Sequence, residues 1–180
     1  IPVQTWTTAT WPDGSIKWTA HAIPAGAGAS AALRVMEGQG GAPAAPVTVK
    51  EQGSGIEVRS GNLCWRIATS GESIILSASN KGRETLRDVK LVATAQDRPE
   101  IEITRSEAQE TITRRRYVSE VTNAVIEQSG PVRAVVKVEG RHRGAERAWL
   151  PFSLRLYFYA GSEAVRIVHS FIFDGDEHKD

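Results

Sequence analysis

The sequence is poor in cysteine and has no long apolar run. Cys64 is the one cysteine among 180 residues, which excludes an internal disulfide and any metal site built from several cysteines. Stability must therefore come from packing. No segment approaches the roughly 18 consecutive apolar residues that cross a bilayer, and no basic stretch followed by an apolar one indicates a signal peptide.

Net charge and nucleotide-binding motifs are lacking too. The 22 lysines and arginines nearly balance the 21 aspartates and glutamates, so charge predicts neither nucleic acid nor an anionic membrane as a partner. The sequence has no nucleophile elbow, Walker loop, dinucleotide fingerprint or zinc signature. We accordingly expect no metal and no other cofactor.

The chain opens without a start methionine on Ile1-Pro2-Val3-Gln4, which has the pattern of the middle of a strand. We therefore expect a piece of a longer protein. A missing signal peptide then says little about export, and localisation stays open. The length suits one domain, or one domain with a fragment of another.

Three segments in the last fifty residues alternate between apolar and polar side chains with a period of two, which predicts long strands with one buried face. The positions on the apolar side are Val132, Ala134, Val136 and Val138; then Phe152, Leu154, Leu156 and Phe158; then Val165, Ile167, His169, Phe171 and Phe173.

Shorter β-type runs separated by turn sequences lie upstream and predict a β-meander; they span 55–59, 63–69 and 74–79. Residues 119–128 also fit a short helix, but Val121, Val125 and Ile126 are β-branched and favour an extended chain. We interpret 111–128 as one long strand. With ten or more strands and hardly any helix, the chain is predicted to be all-β, and its larger unit an antiparallel β-sandwich.

An alanine- and glycine-rich segment, 25–46, divides the chain. We predict that its apolar and charged island, Leu33 to Glu37, forms a strand that closes the first unit, and that 38–46 is a linker. The predicted domains are residues 1–47, part of a small β unit plus the linker, and residues 48–180, the β-sandwich.

Two tryptophans flank a tight turn in the run from Trp11 to Trp18. Pro12 fixes φ and Gly14 tolerates the left-handed region, so a hairpin is predicted. In one interpretation Trp11 and Trp18 pack over the turn. In the other they form a sugar platform, because the face of an indole stacks on the axial C–H groups of a pyranose, and Trp6 with His21 would extend that surface.

His169 interrupts an otherwise apolar strand face, where a neutral imidazole needs a hydrogen-bond partner. It is either a satisfied core histidine or a proton donor or acceptor that lines a cleft. The acidic residues that follow lack the remaining ligand positions of a calcium loop, so a strand-terminating turn is expected rather than a metal site; they are Asp174, Asp176, Glu177 and Asp180.

Arg155, Tyr157 and Tyr159 occupy the polar side of one predicted strand. A carboxylate-bearing sugar needs a cation to neutralise the acid group and a phenol or imidazole to move a proton, and this set provides both. The same composition is typical of any exposed sheet face. Arg115, inside a run of three arginines, can hold a carboxylate through two guanidinium contacts.

Several runs resemble the rhamnogalacturonan exolyase family of polysaccharide lyases and its uncharacterised bacterial relatives. Pro2-Val3-Gln4 with Trp6, the run from Trp11 to Thr19, and His21-Ala22 resemble the end of the family's N-terminal barrel-like domain. Four further runs resemble the family's central β-sandwich: residues 126–134, 157–162, 168–171 and 174–176. The likeness covers most of the chain apart from the alanine- and glycine-rich connection.

The resemblance implies a partial β-barrel-like unit before the sandwich and a helical domain after it, in an enzyme that cleaves rhamnogalacturonan-like pectin by β-elimination. Its partners would be a polysaccharide or oligosaccharide and the missing N- and C-terminal domains of the same chain; the fragment alone would be inactive. Candidate catalytic residues within the matching motifs are His169, Tyr157 and Tyr159, and candidate substrate-binding residues are Arg155, Trp11, Trp18 and Arg115. The alternative is a non-catalytic carbohydrate-binding or scaffolding sandwich of a multidomain glycan-active enzyme.

Overall fold

The computed structural model describes residues 1–24, 26, 32–97, 112–145 and 147–175. Twelve strands and no helix occur in these ranges, so none of them contains a helix able to cross a membrane. The strands are β1 (Gln4–Thr10), β2 (Ile16–Ala22), β3 (Val47–Gln52), β4 (Gly55–Ser60), β5 (Leu63–Ala68), β6 (Ile75–Asn80), β7 (Arg83–Val89), β8 (Val92–Gln96), β9 (Arg114–Ser129), β10 (Arg133–Arg143), β11 (Ala148–Tyr159) and β12 (Arg166–Phe171).

The strands form one hairpin and two five-stranded antiparallel sheets. The hairpin is β1–β2, the first sheet runs β3-β4-β5-β6-β7, and the second runs β12-β11-β10-β9-β8. The two five-stranded sheets pack face to face as a β-sandwich. The all-β prediction is therefore confirmed. The long strand predicted for 111–128 is confirmed as β9, in which β-branched residues favour extension over the helical alternative.

The core lies where alternation placed it, between the inner faces of the two sheets. Leu154, Leu156 and Phe158 of β11 are buried against the first sheet, and the rings of Phe158 and Trp65 meet edge to face at 5.8 Å between centroids. The apolar residues of β10 and β4 complete this layer; they are Ala134, Val136, Val138, Ile56 and Val58. Burying each large side chain contributes about 1.5–3 kcal/mol.

Two expectations from the sequence are wrong, one about a strand and one about a buried face. The island from Leu33 to Glu37 forms no strand, and its apolar side chains Leu33, Val35 and Met36 are exposed, because no neighbouring strand among the described residues pairs with it. β12 is a strand as predicted, but its apolar side is largely open to solvent. Period-two alternation predicts the face and not whether anything covers it.

Ser119 joins the edges of the two sheets from the middle of β9. Its side chain is fully buried; the hydroxyl donates to the carbonyl of Glu72 at 2.6 Å and accepts from the backbone N–H of Leu91 at 3.1 Å. The isolated bridge between Gly71 and Val121 lies beside it. The serine hydroxyl, itself fully buried, thus satisfies one backbone group from each of two segments that flank β9.

Replacing Ser119 by alanine is expected to lower the free energy of unfolding by about 1–3 kcal/mol, since two hydrogen bonds to a fully buried hydroxyl are lost. Urea unfolding followed by circular dichroism measures the change. The matched control is Ser170→Ala on the exposed side of β12, expected to stay within about 0.5 kcal/mol. Equal effects of the two substitutions would contradict the assigned role of Ser119.

Candidate functional site

The candidate catalytic residues fall on opposite faces of the second sheet. Tyr157 and Tyr159 point away from the core, because Leu156 and Phe158 between them point into it. His169 pairs directly with Leu154 across β11 and β12, so it shares the inner face. The described residues of this chain therefore do not bring His169 together with the two tyrosines.

His169 lies at the uncovered edge of the inner face. Its ring centroid is 6.2 Å from that of Phe152 and 5.6 Å from that of Phe171. Partial burial, and secondarily the neighbouring His142, lower the pKa of His169 below the ordinary value. The imidazole is thus neutral at pH 7 and able to accept a proton. Its catalytic role stays a prediction.

The charge of Arg155 is compensated within the sheet. Its Nε and Nη2 donate to the two carboxylate oxygens of Glu127 at 2.8 and 2.9 Å, a bidentate pair between β11 and β9. An arginine held this way stiffens the outer face but has less charge to offer a ligand. A role for Arg155 in neutralising a uronate would require the Glu127 contact to open.

Four residues form what we term the arginine–aromatic surface: Trp6, Arg133, Tyr157 and Arg166. The Arg133 guanidinium carbon lies 4.0 Å from the centroid of the Trp6 ring and 5.6 Å from that of Tyr157. The guanidinium carbon of Arg166 is 5.5 Å from the Tyr157 centroid. The tyrosine ring is thus flanked by two cations, and one of these also covers an indole.

Strand register creates this surface. Tyr157 of β11 pairs with Arg166 of β12 on one side and with Val135 of β10 on the other, which places Arg133 diagonally across from the tyrosine. All of these positions share the outer face because directly paired residues point the same way. The surface therefore spans three adjacent strands of one sheet.

The hairpin reaches this surface through Gln4. The side-chain oxygen of Gln4 accepts from the backbone N–H groups of Val132 and Arg133 at 3.0 and 2.7 Å. Two residues later in β1, on the same face of the strand, Trp6 then lies over the Arg133 guanidinium. β1 is thereby anchored to the start of β10.

Among the residues that the structure describes, neither cation of the surface has an acidic partner. Arg133 donates its Nε–H to Gln128 Oε1 at 2.8 Å, and among the described residues neither Arg133 nor Arg166 has a carboxylate within ion-pair distance. Their positive charges are uncompensated locally, while the aromatic rings supply flat apolar faces. An anionic ring compound matches this combination.

Sequence reasoning selected Tyr157 but not Arg133 or Arg166. Arg166 is nine positions from Tyr157 and Arg133 is 24 positions away, so only the strand register brings them together. A usable signal existed in the alternation, which puts Arg133 and Tyr157 on the polar sides of their strands. Locating the site also requires knowing which strands pair with each other.

The tryptophan hairpin forms as predicted, but its tryptophans do not stack. Trp11 is 50% and Trp18 63% exposed, and in the part of the chain described here no ring contact joins them. Lys17 Nζ lies 4.2 Å from the centroid of the Trp11 ring instead. The turn is held by Asp13, whose Oδ1 accepts from the hydroxyl and N–H of Ser15, and these bonds lower the pKa of Asp13.

Arg115 lies far from the arginine–aromatic surface. It is near the start of the 16-residue β9, whereas Gln128, which contacts Arg133, is near its end. At about 3.3 Å per residue the two are about 40 Å apart. Alternation also puts Arg115 on the same side of β9 as the buried Tyr117 and Ser119, away from the outer face. Its predicted role in binding the same sugar remains a prediction.

Metal and thiol chemistry find no support in the described ranges. No group of three potential ligand side chains occurs there. Asp174 Oδ1 accepts from the backbone N–H of Leu150 at 2.6 Å, which suits the expected strand-terminating turn; Asp176, Glu177 and Asp180 lie outside the described residues. Burial raises the pKa of Cys64, so this thiol is a poor nucleophile.

The fold and register define an antiparallel β-sandwich preceded by part of a barrel domain. The family model described as the PcRGLX-like protein central beta sandwich domain matches residues 47–180, and that of the PcRGLX-like N-terminal RIFT barrel domain matches residues 1–38. The chain belongs to the PcRGLX-like proteins.

The chain also has a longer relative. The chain is 37% identical over 174 residues to the uncharacterized protein YetA of Bacillus subtilis (strain 168), an alignment that covers 96% of this chain and 20% of that protein. The chain thus spans about a fifth of the length of this relative. The predicted division at residue 47 remains a proposal; β3 already begins with Val47, whose side chain is part of the sandwich core.

Proposed function

We propose that this chain is the β portion of a polysaccharide lyase that cleaves a uronic-acid glycan of the rhamnogalacturonan type by β-elimination. The observation that carries the proposal is the flanking of Tyr157 by Arg133 and Arg166, two cations without an acidic partner among the described residues. Membership of the PcRGLX-like proteins supports the same chemistry through the resemblance of the sequence motifs.

The reaction requires a cation near the carboxyl group of the sugar. A base removes the proton from the carbon next to that group, the electron pair forms a carbon–carbon double bond, and the bond from the adjacent carbon to the glycosidic oxygen breaks. The leaving oxygen takes a proton. Guanidinium groups at the carboxylate stabilise the enolate-like charge that builds up as the first proton leaves.

Tyr157 is the side chain of this chain best placed to exchange a proton there. Its ring is flanked by the two guanidinium groups, and a tyrosine hydroxyl can serve as base or acid beside a bound carboxylate. Tyr159 lies on the same outer face and pairs with Arg133. His169, on the opposite face, would act only on a ligand bound at the other side of the sheet.

The decisive experiment compares residues 1–180 with the longer polypeptide that the size of the relative leads us to expect. We expect the longer protein to generate the ultraviolet absorbance of unsaturated uronate from rhamnogalacturonan, and residues 1–180 alone to generate none. Tyr157→Phe should reduce kcat in the longer protein with little change in KM, because it removes the proton and keeps the ring. A folded longer protein that yields no absorbance would overturn the lyase proposal.

A second function, carbohydrate binding without catalysis, is favoured by the exposure of Trp11 and Trp18. Open aromatic faces suit the stacking of sugars without enclosing them. Titration of residues 1–180 with pectic oligosaccharides, followed by tryptophan fluorescence, tests this function. Binding without turnover in the longer protein would favour it over the lyase, and a flat titration would leave a scaffolding role.

A further inference from the structure

The inner face of β12 is apolar and, in the part of the chain that the structure describes, uncovered. Ile167, His169 and Phe171 pair with Leu156, Leu154 and Phe152 of β11, which are buried in the core. On β12 the same face is open: Ile167 is 55% and Phe171 59% exposed. The inner face of the second sheet therefore extends one strand beyond the part that the first sheet covers.

Among the described residues, the first sheet leaves the inner face of β12 largely open. Its strands β3 and β4 pack mainly on β9, β10 and β11, whereas the contacts of β12 are mainly with β11. Past the end of β12, Phe173 is 54% exposed, and its ring meets Trp149 at 5.9 Å between centroids. We define the β12 face as Ile167, His169, Phe171 and Phe173.

The size and chemistry of the β12 face are those of an interface. Its three apolar side chains leave on the order of 300 Å² open, within the range of the largest apolar patch on a typical soluble monomer, which is often functional. Its one titratable group, His169, has a lowered pKa and is neutral at pH 7. A partner for this face is therefore apolar rather than charged.

We propose that the β12 face is the docking surface for the domain that follows the central sandwich in the same polypeptide. The family model that matches residues 47–180 describes a central domain, and the alignment with YetA covers only 20% of that protein. β12 is the last strand among the described residues, so the polypeptide that follows it continues beside this face. Covalent attachment raises its effective concentration and favours docking over binding of a separate partner.

Hydrogen–deuterium exchange of the two polypeptides, residues 1–180 and the longer protein, tests the docking. We expect the amides of β12 to exchange at least tenfold more slowly in the longer protein, whether or not it shows lyase activity. The double substitution Ile167→Ser with Phe171→Ser should abolish this extra protection. In residues 1–180 it should change the melting temperature by only a few degrees, because both side chains are already exposed.

A matched control replaces two exposed apolar residues elsewhere, Leu86→Ser with Val125→Ser, and should leave the extra protection of β12 intact. Equal exchange of β12 in both polypeptides would overturn the proposal. So would protection that rises with the concentration of residues 1–180 alone, because a second copy of the chain would then be the occupant.

Discussion

Replacing Gly130 by alanine is expected to lower the free energy of unfolding by about 2–5 kcal/mol. Gly130 has φ +99°, and a Cβ added there would lie 2.1 Å from the carbonyl oxygen of Val47. The unfavourable backbone conformation contributes about 1–2 kcal/mol, and the displacement of β3 adds about 1–3 kcal/mol of overpacking. For a domain of this size the melting temperature should fall by roughly 4–20 °C.

The large effect reflects the place where β3 meets the turn between β9 and β10. The backbone N–H of Val47 donates to the carbonyl of Pro131 at 2.8 Å, and the Val47 and Val132 side chains are both fully buried there. The turn thus joins the two sheets of the sandwich. Any push on Val47 disturbs a hydrogen bond and the edge of the core together.

Gly161→Ala is the matched control for Gly130→Ala. Gly161 also has a positive φ, +74°, but a Cβ there would meet nothing within 4 Å. Only the backbone term remains, so the expected loss is about 1–2 kcal/mol. Thermal unfolding of residues 1–180 followed by calorimetry measures both variants. Equal shifts in melting temperature would show that the close approach of Gly130 to Val47 has no energetic consequence.

Strands β10 and β11 could be predicted from the sequence because one of their faces is buried. Alternation in β10 and β11 assigned Val136, Val138, Leu154 and Leu156 to the core correctly. Val135, assigned to the polar side, is nevertheless only 2% exposed. Tyr157 is one of its cross-strand neighbours on the outer face. Large side chains on that face cover Val135, so a residue that alternation placed at the surface is buried.

The arginine–aromatic surface could be predicted only in part. The composition of β11 pointed to Arg155, Tyr157 and Tyr159, but Arg155 is paired with Glu127, 28 residues away. Which arginine has a carboxylate partner depends on the register between β9, β10 and β11, and a single sequence does not contain that register. The strand predicted at Leu33 failed for a related reason, since a strand needs a partner as well as a pattern.

Removing both arginines that flank Tyr157 is expected to weaken binding of acidic pectic oligosaccharides about a hundredfold. Each guanidinium that donates hydrogen bonds to a carboxylate contributes about 1.5 kcal/mol or more, which is about tenfold in affinity. Arg133→Ala and Arg166→Ala should thus each weaken binding about tenfold, and together about a hundredfold. Calorimetric titration of residues 1–180 with rhamnogalacturonan oligosaccharides measures these changes.

Two controls separate a specific site from loss of positive charge. Arg66→Ala with Arg83→Ala removes two exposed arginines from the first sheet and should change the affinity less than twofold. Carboxyl-reduced oligosaccharides should bind the wild-type protein and the Arg133/Arg166 variant equally, because the guanidinium groups then have no acid to contact.

Arg133→Lys tests whether charge alone is enough. Lysine keeps the positive charge but lacks the planar fork that stacks on Trp6 and binds a carboxylate in two places. We expect an affinity between those of the wild type and Arg133→Ala, with the hairpin still attached through Gln4, because its bonds go to the backbone of residues 132 and 133. If Arg66→Ala with Arg83→Ala weakens binding as much as Arg133→Ala with Arg166→Ala does, the attraction is a property of overall charge. The arginine–aromatic surface is then not a sugar site.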